Sequence, residues 1–166
     1  TDGRDTSPTG GVEYVREFQD RAAEIGVGRI ASIVGRYFAM DRDNRWDRIE
    51  KAYRLLVNGE GASFDAPVEA LQASYDEDVT DEFVEPVRIE VDGDARVSNG
   101  DAVIFFNFRA DRARQLTRAF TEEAFAGFDR ERIDDLYYAT MTPYDADFEL
   151  PVAFEKLNLK DTIGEV

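Results

Sequence analysis

The stretch Ala102-Val103-Ile104-Phe105-Phe106-Asn107-Phe108-Arg109-Ala110-Asp111-Arg112 turns abruptly from an apolar run into a charged one. A short apolar run of β-branched and aromatic residues reads as a strand buried in a parallel sheet. A helix over Arg112–Phe120 follows, and Leu136–Thr140 reads as the next strand. Upstream, Val12, Val15, Phe18, Ala22 and Ile25 recur at helical spacing over Val12–Ile25, and Gly26 stops the pattern. Arg29–Val34, between Gly28 and Gly35, reads as a buried strand, and Gly35–Asn44 as a charged loop. Arg45–Val57 presents Trp46, Ile49, Tyr53 and Leu56 on one helical face, with Asn58-Gly59 as its end, so Trp46 reads as core. Pro67–Tyr75 is a third helix, with Asp65 as cap and Pro67 in its first turn. Val87–Val91 alternates apolar and charged residues like a half-exposed strand, Asp92-Gly93-Asp94 turns, and the chain from Pro143 onward is irregular. Alternating strands and helices give an α/β class with a mostly parallel sheet flanked by helices.

The 166 residues suit one domain, and 43 % hydrophobic residues suffice for a core. No apolar run approaches the ~20 residues that span a bilayer, and the first residues hold no apolar leader region. Cysteine and histidine are absent. Disulfides, thiolate metal sites, cysteine nucleophiles and Ser-His-Asp triads are therefore excluded from these 166 residues. The net charge of −16 argues against nucleic acid and anionic membrane as partners. The chain has 20 Asp and 16 Glu against 17 Arg and only 3 Lys. Arginines kept where lysines are scarce point to bidentate recognition of carboxylate or phosphate.

Arg36 follows the first strand and Arg42 lies six residues further on; Arg109 and Arg112 follow the strand at Ala102; Arg4 sits beside Asp5 in the opening loop. Ligands of open α/β sheets bind outside the carboxyl ends of the strands, so these arginines would converge on a small polyanion. The competing reading pairs each Arg with a neighbouring Asp5, Asp41, Asp43 or Asp111. Weaker signals carry less. Gly26-Val27-Gly28 precedes a strand where a dinucleotide fingerprint would follow one. Asp76, Asp78 and Asp81 lack the glycine and glutamate of a calcium loop and read as a solvated acidic loop.

Thr1-Asp2-Gly3-Arg4-Asp5-Thr6, Gly35-Arg36-Tyr37-Phe38-Ala39-Met40-Asp41-Arg42-Asp43-Asn44-Arg45-Trp46 and Phe105-Phe106-Asn107-Phe108-Arg109-Ala110-Asp111-Arg112-Ala113-Arg114-Gln115 closely resemble cofactor-independent (2,3-bisphosphoglycerate-independent) phosphoglycerate mutase. Glu50-Lys51-Ala52-Tyr53 and Asn58-Gly59-Glu60-Gly61 extend the match. The resemblance implies a cytoplasmic, monomeric isomerase of glycolysis and gluconeogenesis that interconverts 3-phosphoglycerate and 2-phosphoglycerate. It places a phosphoserine intermediate and two manganese ions in a phosphatase-like domain of the same parent chain. This chain resembles the inserted phosphotransferase domain, over residues 1–157, with 158–166 beginning the linker back to the phosphatase-like domain. The family's substrate-contacting histidine and the strand feeding the Asp2–Asp5 loop would lie upstream of Thr1. The resemblance implies substrate binding by Arg4, Asp5, Arg36, Arg42, Arg109 and Arg112, with Asp5 as the base at the accepting hydroxyl, and no metal or cofactor in this part. The fragment alone is expected to be inactive; the alternative is a stand-alone binding module for small phosphorylated carboxylic acids.

The charge excess makes a first prediction. Repulsion among exposed carboxylates is screened as the Debye length falls from ~10 Å at 0.1 M salt to ~3 Å at 1 M. The melting temperature is expected to rise with potassium chloride over that range, and a flat or falling curve contradicts a destabilising charge excess.

Overall fold

The computed structural model of the chain describes residues 1–155. The elements in order are α1 (Gly11–Ile25), β1 (Ser32–Ile33), α2 (Arg36–Ala39), α3 (Trp46–Asn58), β2 (Ala62–Phe64), α4 (Pro67–Asp76), a 3₁₀ turn (Asp81–Phe83), β3 (Val87–Ile89), β4 (Ala102–Phe105), α5 (Arg114–Thr121) and β5 (Tyr137–Thr140). The expected linker at 158–166 lies outside the described residues. Among the described residues, no helix is long and apolar enough to cross a membrane.

The α/β class holds. Two units each run strand, helix, parallel strand: β2–α4–β3 pairs Ala62 with Val87 and Phe64 with Ile89, and β4–α5–β5 pairs Ala102 with Tyr137 and Phe105 with Thr140. β1 joins the other edge of β3 antiparallel, with Ile33 opposite Val87. The strands therefore form a three-stranded and a two-stranded sheet, with two of three pairings parallel.

Each sheet has its own core. Val12 of α1 and Ala70 and Leu71 of α4 pack with Ile33, Val84, Val87 and Ile89. Ile49 and Tyr53 of α3 and Leu116, Ala119 and Phe120 of α5 pack with Ile133 and Tyr138. Trp46 packs edge-on against Phe125 beside this second core, as its helical spacing predicts. The helix ends also follow the sequence. Gly26 and Gly59 adopt left-handed φ of 78° and 71°, and their N–H groups cap carbonyls of the preceding turns.

Several expectations are corrected. The expected loop after Gly35 begins with the single turn α2, which buries Phe38. The first strand pairs only over Ser32–Ile33. The residue before α4 that takes the cap position is Ala66, and no side chain caps it, so Asp65 does not. Helix α5 starts at Arg114, leaving Arg112 in the turn before it. The apolar run from Ala102 is not buried on both faces. Val103 and Phe105 face the second core, while Ile104, Phe106 and Phe108 are exposed. Helices α3 and α5 cover one side of this sheet, and among the described residues no layer covers the other. Asp81 is no solvated loop residue. It is buried, and its carboxylate accepts the Gly11 N–H at 2.8 Å and the Tyr75 hydroxyl at 2.6 Å. Burial, followed by that carboxylate, pushes the Tyr75 hydroxyl well above its ordinary value.

Among the glycines, Gly35 meets other backbone most closely. Its N–H donates to Val84 O at 2.7 Å, and a Cβ built there would stand 2.3 Å from Glu82 O and 2.7 Å from Val84 N. Its φ of −70° suits any residue, so contact alone demands glycine. Gly35→Ala is expected to cost about 1–3 kcal/mol by overpacking. Urea unfolding would check this, and a loss below about 0.5 kcal/mol contradicts the steric account.

Candidate functional site

The opening loop is tied down by backbone. Thr1 N donates to Val34 O at 2.8 Å, and Thr1 O accepts the Arg36 N–H at 2.9 Å. That is the pattern of a parallel ladder with Thr1 opposite Gly35. Thr1 Oγ1 donates to Asp81 O at 2.5 Å, and Gly3, at φ +67°, packs on the backbone of Asp81–Glu82. The loop thus docks on the segment that approaches Gly35. Arg4 reaches Glu82 at 3.3 Å, and the largely buried Arg36 pairs with Asp2. Asp5 is exposed and makes no hydrogen bond or ion pair among the described residues.

The loop after α2 is shaped by Asp41. This carboxylate is 3 % exposed, and it accepts the N–H groups of Asp43 at 2.9 Å and Arg45 at 3.0 Å and the Arg48 guanidinium at 3.1 Å. The Arg48 guanidinium also lies 3.8 Å over the Tyr37 ring. Arg42 leaves this loop and meets Asp111 at 3.0 Å.

The third segment enters from β4. Tyr144 Oη stands within hydrogen-bond distance of Phe105 O (2.9 Å) and Asn107 O (2.5 Å), and Thr142 Oγ1 donates to Phe108 O at 2.8 Å. These bonds hold the chain up to Arg109, whose guanidinium is 81 % exposed and reaches Asp111 at 3.3 Å. Arg112 turns inward and donates to Met40 O at 2.9 Å. Its guanidinium is held below its ordinary basicity by desolvation and by the charges of Arg36, Arg42 and Arg4, with Asp111 opposing.

These contacts bring five arginines from three segments into one neighbourhood. Arg42 and Arg109 share Asp111, and the charges of Arg36, Arg42 and Arg4 reach Arg112, so the side chains lie near one another although they leave two different sheets. The neighbour-pairing alternative holds only at Asp111. Asp41 serves other groups, Asp43 enters through its backbone N–H alone, and Arg4 and Arg36 find Glu82 and Asp2 across 78 and 34 residues. Sequence reasoning missed Asp2, Glu82 and Arg48, because their partners are distant in the chain or lie in a turn that carries no periodic signal.

A concavity of about 710 Å³ between α1 and the β3–α4 side is lined by Phe18, Ala22, Gly28, Pro67 and Val91 and by none of the six candidate residues. Among the described residues, no group of three or more His, Cys, Asp or Glu side chains could hold a metal ion. The site's chemistry is guanidinium forks, carboxylates and backbone, suited to a small polyanion.

Residues 1–146 match the family model described as the BPG-independent PGAM N-terminus. The chain is 68 % identical over 173 residues to the 2,3-bisphosphoglycerate-independent phosphoglycerate mutase of Salinibacter ruber, covering 100 % of this chain and 33 % of that protein. The proteins of the same name from Synechococcus elongatus and Staphylococcus epidermidis are 54 % and 50 % identical, over 100 % and 99 % of this chain and 31 % and 32 % of theirs. The chain thus spans about a third of the length of the curated relatives it matches. A crystal structure of Leishmania mexicana phosphoglycerate mutase at low cobalt concentration superposes with a TM-score of 0.82 at 36 % identity, over 88 % of this chain and 29 % of that one.

Proposed function

The chain belongs to the BPG-independent phosphoglycerate mutase family, and from that membership we propose that it is the substrate-binding part of a longer isomerase that interconverts 3-phosphoglycerate and 2-phosphoglycerate. The observation that supports the proposal is that Arg42 and Arg109 share Asp111 while the charges of Arg36, Arg42 and Arg4 all reach Arg112. Arg36 and Arg112, which are partly buried and bonded to Asp2 and Met40, form the fixed floor. Arg42 and Arg109, more exposed, close on the ligand from two sides. Phosphoryl transfer asks chiefly for positioning and for charge placed where it develops, which fixed guanidinium groups supply. Asp5, presented at the surface of the docked Thr1–Arg4 loop and bound to no other group there, is the base that takes the proton of the accepting hydroxyl. The phosphoserine step and the metal ions belong to the phosphatase-like domain of the parent chain, in a cytoplasmic glycolytic monomer.

On this reading the chain alone binds phosphorylated acids without turning them over, which makes it by itself a binding module. Purified chain, with or without manganese, is expected to give no 2-phosphoglycerate from 3-phosphoglycerate above background. Measured turnover in a mutase-free preparation contradicts the division of labour.

A charge-assisted bond is worth about 1.5–3 kcal/mol, so Arg109→Ala is expected to weaken 3-phosphoglycerate binding about ten-fold or more by calorimetry. Arg109→Lys is expected to recover only part of this, because an ammonium cannot form the two-pronged fork. Arg88, paired with Glu90 at 2.6 Å on β3, is the comparison. An equal loss on Arg88→Ala reduces the effect to net charge.

A further inference from the structure

We propose that Asp111 is an internal competitor for the anion site: its carboxylate occupies the place on Arg42 and Arg109 that a bound anion takes, and so limits how tightly the site holds its ligand. The inference rests on the arginine cluster being the anion site. It goes further by assigning an acidic residue within that cluster a role opposed to binding.

A single oxygen, Asp111 Oδ2, accepts from Arg42 Nη1 at 3.0 Å and from Arg109 Nη2 at 3.3 Å. The two arginines come from different segments, and Asp111 is the group that joins them. Each contact uses one N–H of a guanidinium that has five. Neither is the paired, two-bond fork that makes Arg–carboxylate contacts strong. Both arginines are at least half exposed, so water screens the attraction. These are the features of a displaceable partner. Other arginines of the cluster are held differently. The Arg36 guanidinium, which pairs with Asp2, is itself largely buried, and Arg112 rests on a backbone carbonyl. Partial burial pushes the Asp111 carboxyl up, but the Arg42 hydrogen bond and the charges of Arg109 and Arg42 more than offset this, holding it below the ordinary carboxylate range. Asp111 is therefore ionised at neutral pH and a true anion in the site.

An incoming phosphate dianion offers three oxygens and more charge to the same N–H groups. It must displace the carboxylate or sit beside it against repulsion. Either way Asp111 subtracts from affinity, and its return to Arg42 and Arg109 assists release. The opposite role would be a bracket that holds the two guanidinium groups in place for the ligand, and the two roles predict opposite signs.

The test measures inorganic phosphate binding to the full chain at pH 8 by calorimetry, comparing wild type with Asp111→Asn and Asp111→Ser. Two exposed ion pairs are removed, so phosphate is expected to bind about three- to ten-fold more tightly to both variants. Glu123→Gln, which removes one negative charge from the exposed pair with Arg132, is expected to leave affinity unchanged. In wild type, the Asp111 carboxyl carbon resonance is expected to shift as phosphate saturates, a response that a group remaining in its pair would not give. Unchanged or weaker binding by the Asp111 variants overturns the proposal while leaving the arginine site intact. An equal gain in Glu123→Gln also overturns it, by reducing the effect to net charge. If neither wild type nor variant binds phosphate, the arginine site itself falls, and the competitor with it.

Discussion

Gly35 has no side chain, and the close contact this permits is what assembles the arginine site. The backbone of Glu82–Val84 runs against Gly35 so closely that a Cβ would sit 2.3 Å from a carbonyl oxygen. That contact registers three segments at once. Val34 presents its C=O and Arg36 its N–H to Thr1, Asp81 presents its carbonyl to the Thr1 hydroxyl, and Glu82 stands where Arg4 can reach it. Asp81, beneath the contact, ties the start of α1 to the same corner through the Gly11 N–H. The opening loop is thus fixed by backbone pairing instead of by its own polar sequence.

Placing five guanidinium groups together is costly unless anions offset them. The protein's answer is local although the chain as a whole is strongly acidic. Asp2, Glu82 and Asp111 each take one or two arginines, and Met40 O takes the fifth. The surrounding excess of carboxylates keeps the protein hydrated and would repel an anion at long range, so an anion held by these arginines would rest on short, directed bonds. The cleft beside α1 includes one arginine, Arg29, in its lining, together with Asp65 and Glu90, and so has no comparable set of charged donors.

The legible parts of the sequence are those with a period or a stop signal. Helices α1, α3 and α4 lie within a residue or so of their expected bounds, because apolar spacing and Gly26, Gly59 and Pro67 mark them. Strand β2 carries three residues between Gly61 and Asp65, too few for any alternation to register. The single turn α2 was hidden in the same way, by its length and by the charges that follow it. The run Ala102–Phe108 reads as buried on both faces because its apolar residues do not alternate with polar ones, yet only one face meets helices among the described residues. In the site, the arginines were legible from their place after strands and from the family motif. Their counter-ions Asp2 and Glu82 were not, because ion pairs across 34 and 78 residues leave no local pattern.

The central claim is that guanidinium groups from three segments act on one ligand. A titration of the chain with 3-phosphoglycerate, followed through the arginine side-chain Nε resonances, tests it directly. Arg36, Arg42, Arg109 and Arg112 are expected to shift together with a single midpoint and a stoichiometry of one, while Arg88 and Arg132 stay in place. Separate midpoints for Arg36 and Arg109, or shifts spread evenly over all the arginines, would contradict a shared site.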